Sequence, residues 1–200
     1  MVEKDNIIFI AVNECDLPQN AVFDEKDKIK LLYCNLKDNN AEIIHESMLE
    51  HLEVKRNELQ RIAAENMRSK FPCNIFKLGE YVKNHEINIS VNRTYMDDIY
   101  VLACLNEDFT YASSGLYYSA DLIKNFSQSQ KCNVIILPCT IGETYIIPEN
   151  ILEKTEINEL MEGFKNKCET ALDAEPLIFS DQKLMKMSDY NINKKQSRIK

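Results

Sequence analysis

No apolar run in this sequence approaches the roughly 18–20 residues that span a bilayer, so no membrane-spanning helix is expected. Positive charge is in deficit: 24 Lys and Arg stand against 32 Asp and Glu, a net charge of −8. A general binder of DNA or RNA backbones needs a basic face, so no general nucleic-acid binding is expected and only a local basic patch stays open. The same deficit suits a surface kept acidic for solubility, or one that meets a basic partner. Neither a Walker A motif nor G-x-G-x-x-G is present, which removes the usual phosphate-cradling loops. Histidine is scarce, and His45, His51 and His85 are not spaced with cysteines as zinc ligands would be. No metal and no cofactor is expected.

The seven cysteines (Cys15, Cys34, Cys73, Cys104, Cys132, Cys139 and Cys168) never form a C-x-x-C pair, and their number is odd. Met1–Asn6 carries charges of both signs and the apolar run Ile7–Val12 is too short for a signal peptide. The expectation is therefore a cytoplasmic protein whose thiols are reduced and indifferent to reductant. No internal repeat, low-complexity segment or linker rich in Gly, Pro or Ser interrupts the chain.

What is present is an ordinary globular composition: 200 residues, 44% hydrophobic and 28% charged, enough for one sizeable core or two small ones. Ile7–Asn13 and Lys28–Lys37 read as strands, and Asp38-Asn39-Asn40 turns the second into Ala41–His45. Ser47-Met-Leu-Glu50 has the pattern of a capping box opening a short helix near 48–53. A helix over about 55–70 carries Leu59, Ile62, Ala63, Asn66 and Met67 on one face and stops at Pro72. Phe76–Val82 reads as another short helix, and His85–Arg93 as a polar irregular stretch.

Ile99–Leu105 has the length and side chains of a buried strand, followed by a turn at Asn106-Glu107-Asp108. Leu116–Phe126 reads as a helix, and Asn133–Leu137 and Thr144–Ile147 as strands. Thr155 is placed to cap a helix whose face is Ile157, Leu160, Met161, Phe164, Cys168 and Leu172. Residues 177–187 read as a last strand. The sum is an α+β fold with a mostly antiparallel sheet and packed helices. The division expected is a β-rich lobe with helices over 1–93, a second lobe over 94–190, and a basic tail over 191–200.

The stretch NVIILPCTIGETYIIPE, residues 133–149, raises the one sharp chemical question. Cys139 on a tight turn is a candidate nucleophile, with Glu143 to orient a base and His45 or His51 as that base. Its alternative is packing: Pro138 ends a strand, Gly142 turns the chain, and Cys139 fills space as a small hydrophobe. The packing account predicts Cys139 at least half buried. Tyr111–Ser119 places hydroxyls and Gly115 before a helix start, where either an anion or simple capping by Ser113 or Ser114 fits. Asp97-Asp98 and Glu107-Asp108 flank one strand at opposite ends, so one metal or acid–base site cannot easily use both pairs.

A series of short motifs stands out in order. Glu58-Leu59 leads through Ala63 to Asn66; Ile99–Leu102 is followed by Gly115 with Leu116–Tyr118; then Ile136-Leu137-Pro138 leads through Glu143 to Ile147-Pro148, and Phe179-Ser180-Asp181 follows. This order resembles the domain-of-unknown-function family numbered 5688, known from bacterial genomes and their mobile elements, over roughly residues 7–190. Where the family pattern has Ser-Ser-Ile-His, this chain has Cys139, Thr140, Ile141 and Gly142, so only the carboxylate of Glu143 remains at that corner. The resemblance implies the order of the fold and a bacterial or phage-like cytoplasmic origin, and it supplies no activity.

Three functions follow as expectations. The first is a non-enzymatic binding or regulatory protein whose partner is another protein. The second is a small cysteine-dependent hydrolase or transferase. The third is an acidic inhibitor of a basic nucleic-acid-binding protein.

Overall fold

Two antiparallel sheets carry the chain in the computed structural model, which describes residues 3–38, 40–52, 54–85, 97–105, 112–165 and 171–191. The first contains β1 (Ile7–Val12), β2 (Phe23–Lys26), β3 (Ile29–Lys37) and β4 (Asn40–Ile43). The nine-residue β3 is its spine, with β1 along one side and β2 and β4 end to end along the other. Asp27 and Lys28, both left-handed, close the β2–β3 hairpin, and left-handed Asp38 begins the turn into β4.

Helix α1 spans Glu46–Leu52 and α2 spans Arg56–Lys70. The expected capping box at Ser47 does not form. The helix begins two residues earlier than expected, at Glu46, and Met48 donates its N–H to His45 O at 2.8 Å. The face expected for α2 holds, with Leu59, Ala63 and Met67 wholly buried against the first sheet. Its one polar member, Asn66, donates its side-chain amide to the carbonyls of Lys4 and Ile7, each at 2.8 Å. A polar residue on an apolar face is thereby satisfied.

The second sheet has the order β10-β9-β7-β8-β6-β5. Its strands are β5 (Cys73–Lys77), β6 (Tyr100–Cys104), β7 (Val134–Pro138), β8 (Thr144–Pro148), β9 (Leu177–Ser180) and β10 (Lys183–Lys186). Phe76 and Lys77 end β5, and the helix expected from Phe76 starts later, as α3 (Leu78–His85). Pairing decides this: Phe76 lies opposite Val101 and Lys77 opposite Tyr100. Helix α4 (Ala112–Tyr118) and α5 (Ala120–Gln130) replace the single helix expected over 116–126, with the break at Ser119.

Helix α6 spans Lys154–Lys165, so Thr155 lies inside its first turn rather than at its cap. Glu156 instead reaches back to accept the N–H of Glu153 at 2.8 Å. Leu172, expected on that helix, joins the core of the first sheet. The expected last strand is a hairpin, turned by left-handed Asp181 and Gln182 between β9 and β10.

Strand β7 is buried on both faces, which explains its unbroken apolar run. Ile135 and Leu137 face the layer of α3 and α6, with Leu78, Ile157 and Met161. Val134 and Ile136 face the layer of α4 and α5, with Leu116 and Ile123. Helices thus cover both sides of the second sheet.

β5 and α3 precede the polar stretch His85–Arg93 yet belong to the second sheet, so the change of sheet falls at Phe71–Pro72. A division at residue 93 therefore does not follow the sheets. The expected irregular segment over 86–93, the turn at Asn106-Glu107-Asp108, Asn39, Tyr111, Cys168, the side chain of Phe164 and residues 192–200 lie outside the described residues.

The two sheets meet at α4. Ser113 Oγ donates to Thr140 O and lies 2.8 Å from Thr144 Oγ1, both on the second sheet's side. Its neighbour Ser114 accepts the N–H of Ala11 in β1 at 2.9 Å. β1 is an edge strand, and Ser114 and Asn66 supply side-chain partners along its open side.

Candidate functional site

The corner between β7 and β8 is built from backbone. The N–H groups of Cys139 and Thr140 both donate to Glu143 O, at 3.0 and 3.1 Å, and Leu172 donates its N–H to Cys139 O at 3.0 Å. The strand pairing continues through the proline, since Pro138 lies opposite Thr144 and Pro148 opposite Val134. Among the described residues no glycine has a positive φ, so Gly142 turns here in ordinary backbone conformation. Cys139 itself is 1% exposed, and its Sγ donates to Leu137 O at 3.3 Å and lies 4.0 Å from Met161 Sδ.

The structure thus brings Cys139 and Glu143 together, but through the carbonyl of Glu143 rather than its carboxylate. Burial pushes that carboxyl above its ordinary 4.5. The candidate bases belong to the other sheet's side: His45 forms an isolated bridge with Ala21, and His51 is exposed in the last turn of α1.

Ser113 and Ser114 lie within α4, and their hydroxyls join the two sheets instead of capping the helix or facing an anion. Asp97 and Asp98 are exposed, and Glu107-Asp108 lies outside the described residues. Among the described residues no group of three or more His, Cys, Asp or Glu gathers as metal ligands. None of the described helices is long and apolar enough to cross a membrane.

A second thiol site was not expected from the sequence. Cys73 opens β5, Cys104 ends β6, and the antiparallel register sets them directly opposite. The N–H of Leu105 donates to Pro72 O at 2.8 Å, one residue beyond each. That bond marks Cys73 and Cys104 as a non-hydrogen-bonded pair, the kind whose side chains approach most closely. Their sulfurs lie 3.5 Å apart.

Tyr118, 1% exposed at the end of α4, completes the cluster. Its hydroxyl donates to Phe71 O at 2.7 Å and lies 2.9 Å from Cys73 Sγ and 3.7 Å from Cys104 Sγ. Its ring meets Phe9 of β1 edge-on at 6.2 Å. Three residues before it, Gly115 lets α4 sit against Cys73: a Cβ there would stand 2.9 Å from Cys73 Sγ and 3.3 Å from Leu102 Cδ2. The hydrogen bond to Cys104, then burial, pushes the Cys73 thiol well above its ordinary range. Burial, with the two sulfurs adding to it, does the same to the Tyr118 hydroxyl. The available signal was topological: each strand carries its cysteine at the end that antiparallel pairing makes common.

The family model described as a family of unknown function, DUF5688, matches residues 30–172, a narrower span than the resemblance had suggested. No curated protein and no solved structure matches the chain. Within that span the motif residues do visible structural work. Leu59 and Ala63 are core, Asn66 satisfies the start of β1, Gly115 and Tyr118 enclose Cys73, and Glu143 closes the β7–β8 corner.

Proposed function

Because the chain belongs to DUF5688, a family of unknown function, we propose its role from the site geometry: a non-enzymatic binding or regulatory protein of a bacterial or mobile-element cytoplasm. The observation that carries this reading is the closed corner at Cys139. A nucleophilic cysteine needs an accessible sulfur and a lowered pKa. Here the sulfur is 1% exposed, donates to a carbonyl of its own strand and packs beside Met161. A thiol in such surroundings is a space-filling group, which disfavours the hydrolase or transferase reading.

The partner proposed is another protein. The net charge of −8 favours a basic surface on it, and binding of that kind weakens as salt rises. An inhibitor of a basic nucleic-acid-binding protein is one form this reading takes.

The test is timed iodoacetamide labelling of the native full chain at pH 7, read peptide by peptide. Cys139 is expected among the slowest thiols, and Cys139→Ser is expected to keep the protein's cellular phenotype. Fast, selective labelling of Cys139 together with loss of that phenotype in Cys139→Ser would overturn the proposal in favour of a thiol enzyme.

A further inference from the structure

We propose that Cys73 and Cys104 are a modification site: a cross-strand dithiol that a hydroperoxide converts to a disulfide and a small thiol reduces again. This goes beyond the binding role and does not depend on it. The expectation of thiols indifferent to redox conditions is thereby revised for this pair alone.

Three features carry the inference. The register places the two residues opposite each other at a non-hydrogen-bonded position, where Cα atoms stand about 4.5 Å apart. Disulfides span Cα separations of about 4.4–6.8 Å, so closure needs no movement of the strands. The sulfurs, at 3.5 Å, need to approach to about 2.0 Å, a matter of side-chain rotation. Finally, both residues are only partly buried, which leaves the pair within reach of a small oxidant.

The chemistry divides between the sulfurs. Cys73 keeps its proton, because it is hydrogen-bonded to Cys104 at 3.5 Å and partly buried where Gly115 brings α4 against it. Cys104 is then the first nucleophile. Its sulfur attacks one peroxide oxygen, an S–O bond forms, the O–O bond breaks, and the departing oxygen takes the thiol proton and leaves as water or alcohol. Cys73 next attacks the Cys104 sulfenic acid. The S–S bond forms, the S–O bond breaks, and the hydroxyl leaves as water with the Cys73 proton. Two thiols are oxidised by two electrons and one peroxide is reduced.

At the Cys139 corner the neighbouring sulfur is the thioether of Met161, whereas here it is a second thiol at contact distance. Closure ties β5, the edge strand of the second sheet, covalently to β6.

The experiment treats the reduced full chain with hydrogen peroxide, alkylates the remaining thiols and analyses peptides by mass spectrometry. A Cys73–Cys104 cross-linked peptide is expected, with alkylation at both positions falling about tenfold and returning after dithiothreitol. In Cys73→Ser, oxidation should stop at a Cys104 sulfenic acid that dimedone traps. Alkylation of Cys73 and Cys104 unchanged by peroxide, or cross-linking of a different pair, would overturn the proposal. Both of those outcomes are read on the unmutated chain, so they hold even where a variant fails to fold.

Discussion

Cys139 and Cys73 both sit at strand ends, the first buried and the second partly so, and their surroundings differ in kind. Around Cys139 the neighbours are a carbonyl of its own strand, a methionine and a turn sealed by Glu143 O. Around Cys73 they are a second sulfur, a phenol and a helix brought close by a glycine. A tight turn with a proline draws attention in a sequence, but it confers no chemistry on a thiol that donates to its own strand's backbone. Proximity of a second thiol does, and proximity is a property of register.

The largest expected effect comes from Tyr118, the residue that binds the thiol pair to the core of the first sheet. Tyr118→Ala should cost about 3–5 kcal/mol in urea melts, as for other large buried aromatics. Tyr118→Phe keeps the ring against Phe9 and should cost only about 1–2 kcal/mol, the worth of the bond to Phe71 O. Equal losses for the two variants would mean that the hydroxyl, not the packing, does the holding.

Gly115→Ala comes next. Its Cβ would press on Cys73 Sγ and Leu102 Cδ2, for a net loss of about 1–3 kcal/mol. Cys73→Ala removes the sulfur and should recover part of that loss, which a double-mutant cycle measures. Additive effects would show that α4 does not bear on Cys73. At the other thiol, Cys139→Ala should cost on the order of 1 kcal/mol, less than the 2–5 kcal/mol typical of truncating an isoleucine such as Ile136.

The smallest effect is a pH dependence at Glu143. Burial raises its folded pKa, so the protonated form is the one that folding favours. That contribution is fully present below the unfolded pKa, near 4.5, and is lost as pH rises through the higher folded value. Stability of the unmodified chain relative to Glu143→Gln should therefore decline as pH rises from about 4 towards 6. A rise over that range would mean that the carboxylate has a favourable partner.

How far the sequence reveals these two sites follows from the range of the forces involved. β7 and β8 are legible because a strand covered on both faces must be continuously apolar. The amphipathic face of α2 is legible for the same local reason, since its period repeats within the helix. β5 is not, because Cys73–Lys77 is half exposed and takes its conformation from pairing with β6. The contact of Cys73 with Cys104 is illegible along with it. The hairpins at Asp27-Lys28 and Asp181-Gln182 escape notice because their left-handed positions hold no glycine. Ser113 and Ser114 read as caps, and only the arrival of a sheet on either side turns them into a joint.

That joint also sets a schedule for the newly made chain. Ala11 finds its acceptor in Ser114, 103 residues later, and Asn13 bonds Ala171 and Asp173, 158 and 160 residues further along. At ribosomal speeds of about 5–20 residues per second, the outer side of β1 waits on the order of 5–20 s for α4 to emerge. Asn66 reaches the Ile7 end sooner, 59 residues on, but the Ala11 end is unguarded throughout that interval. Stalling translation between residues 70 and 110 should therefore leave nascent chains that chaperones hold or that aggregate, whereas stalling well after residue 120 should not.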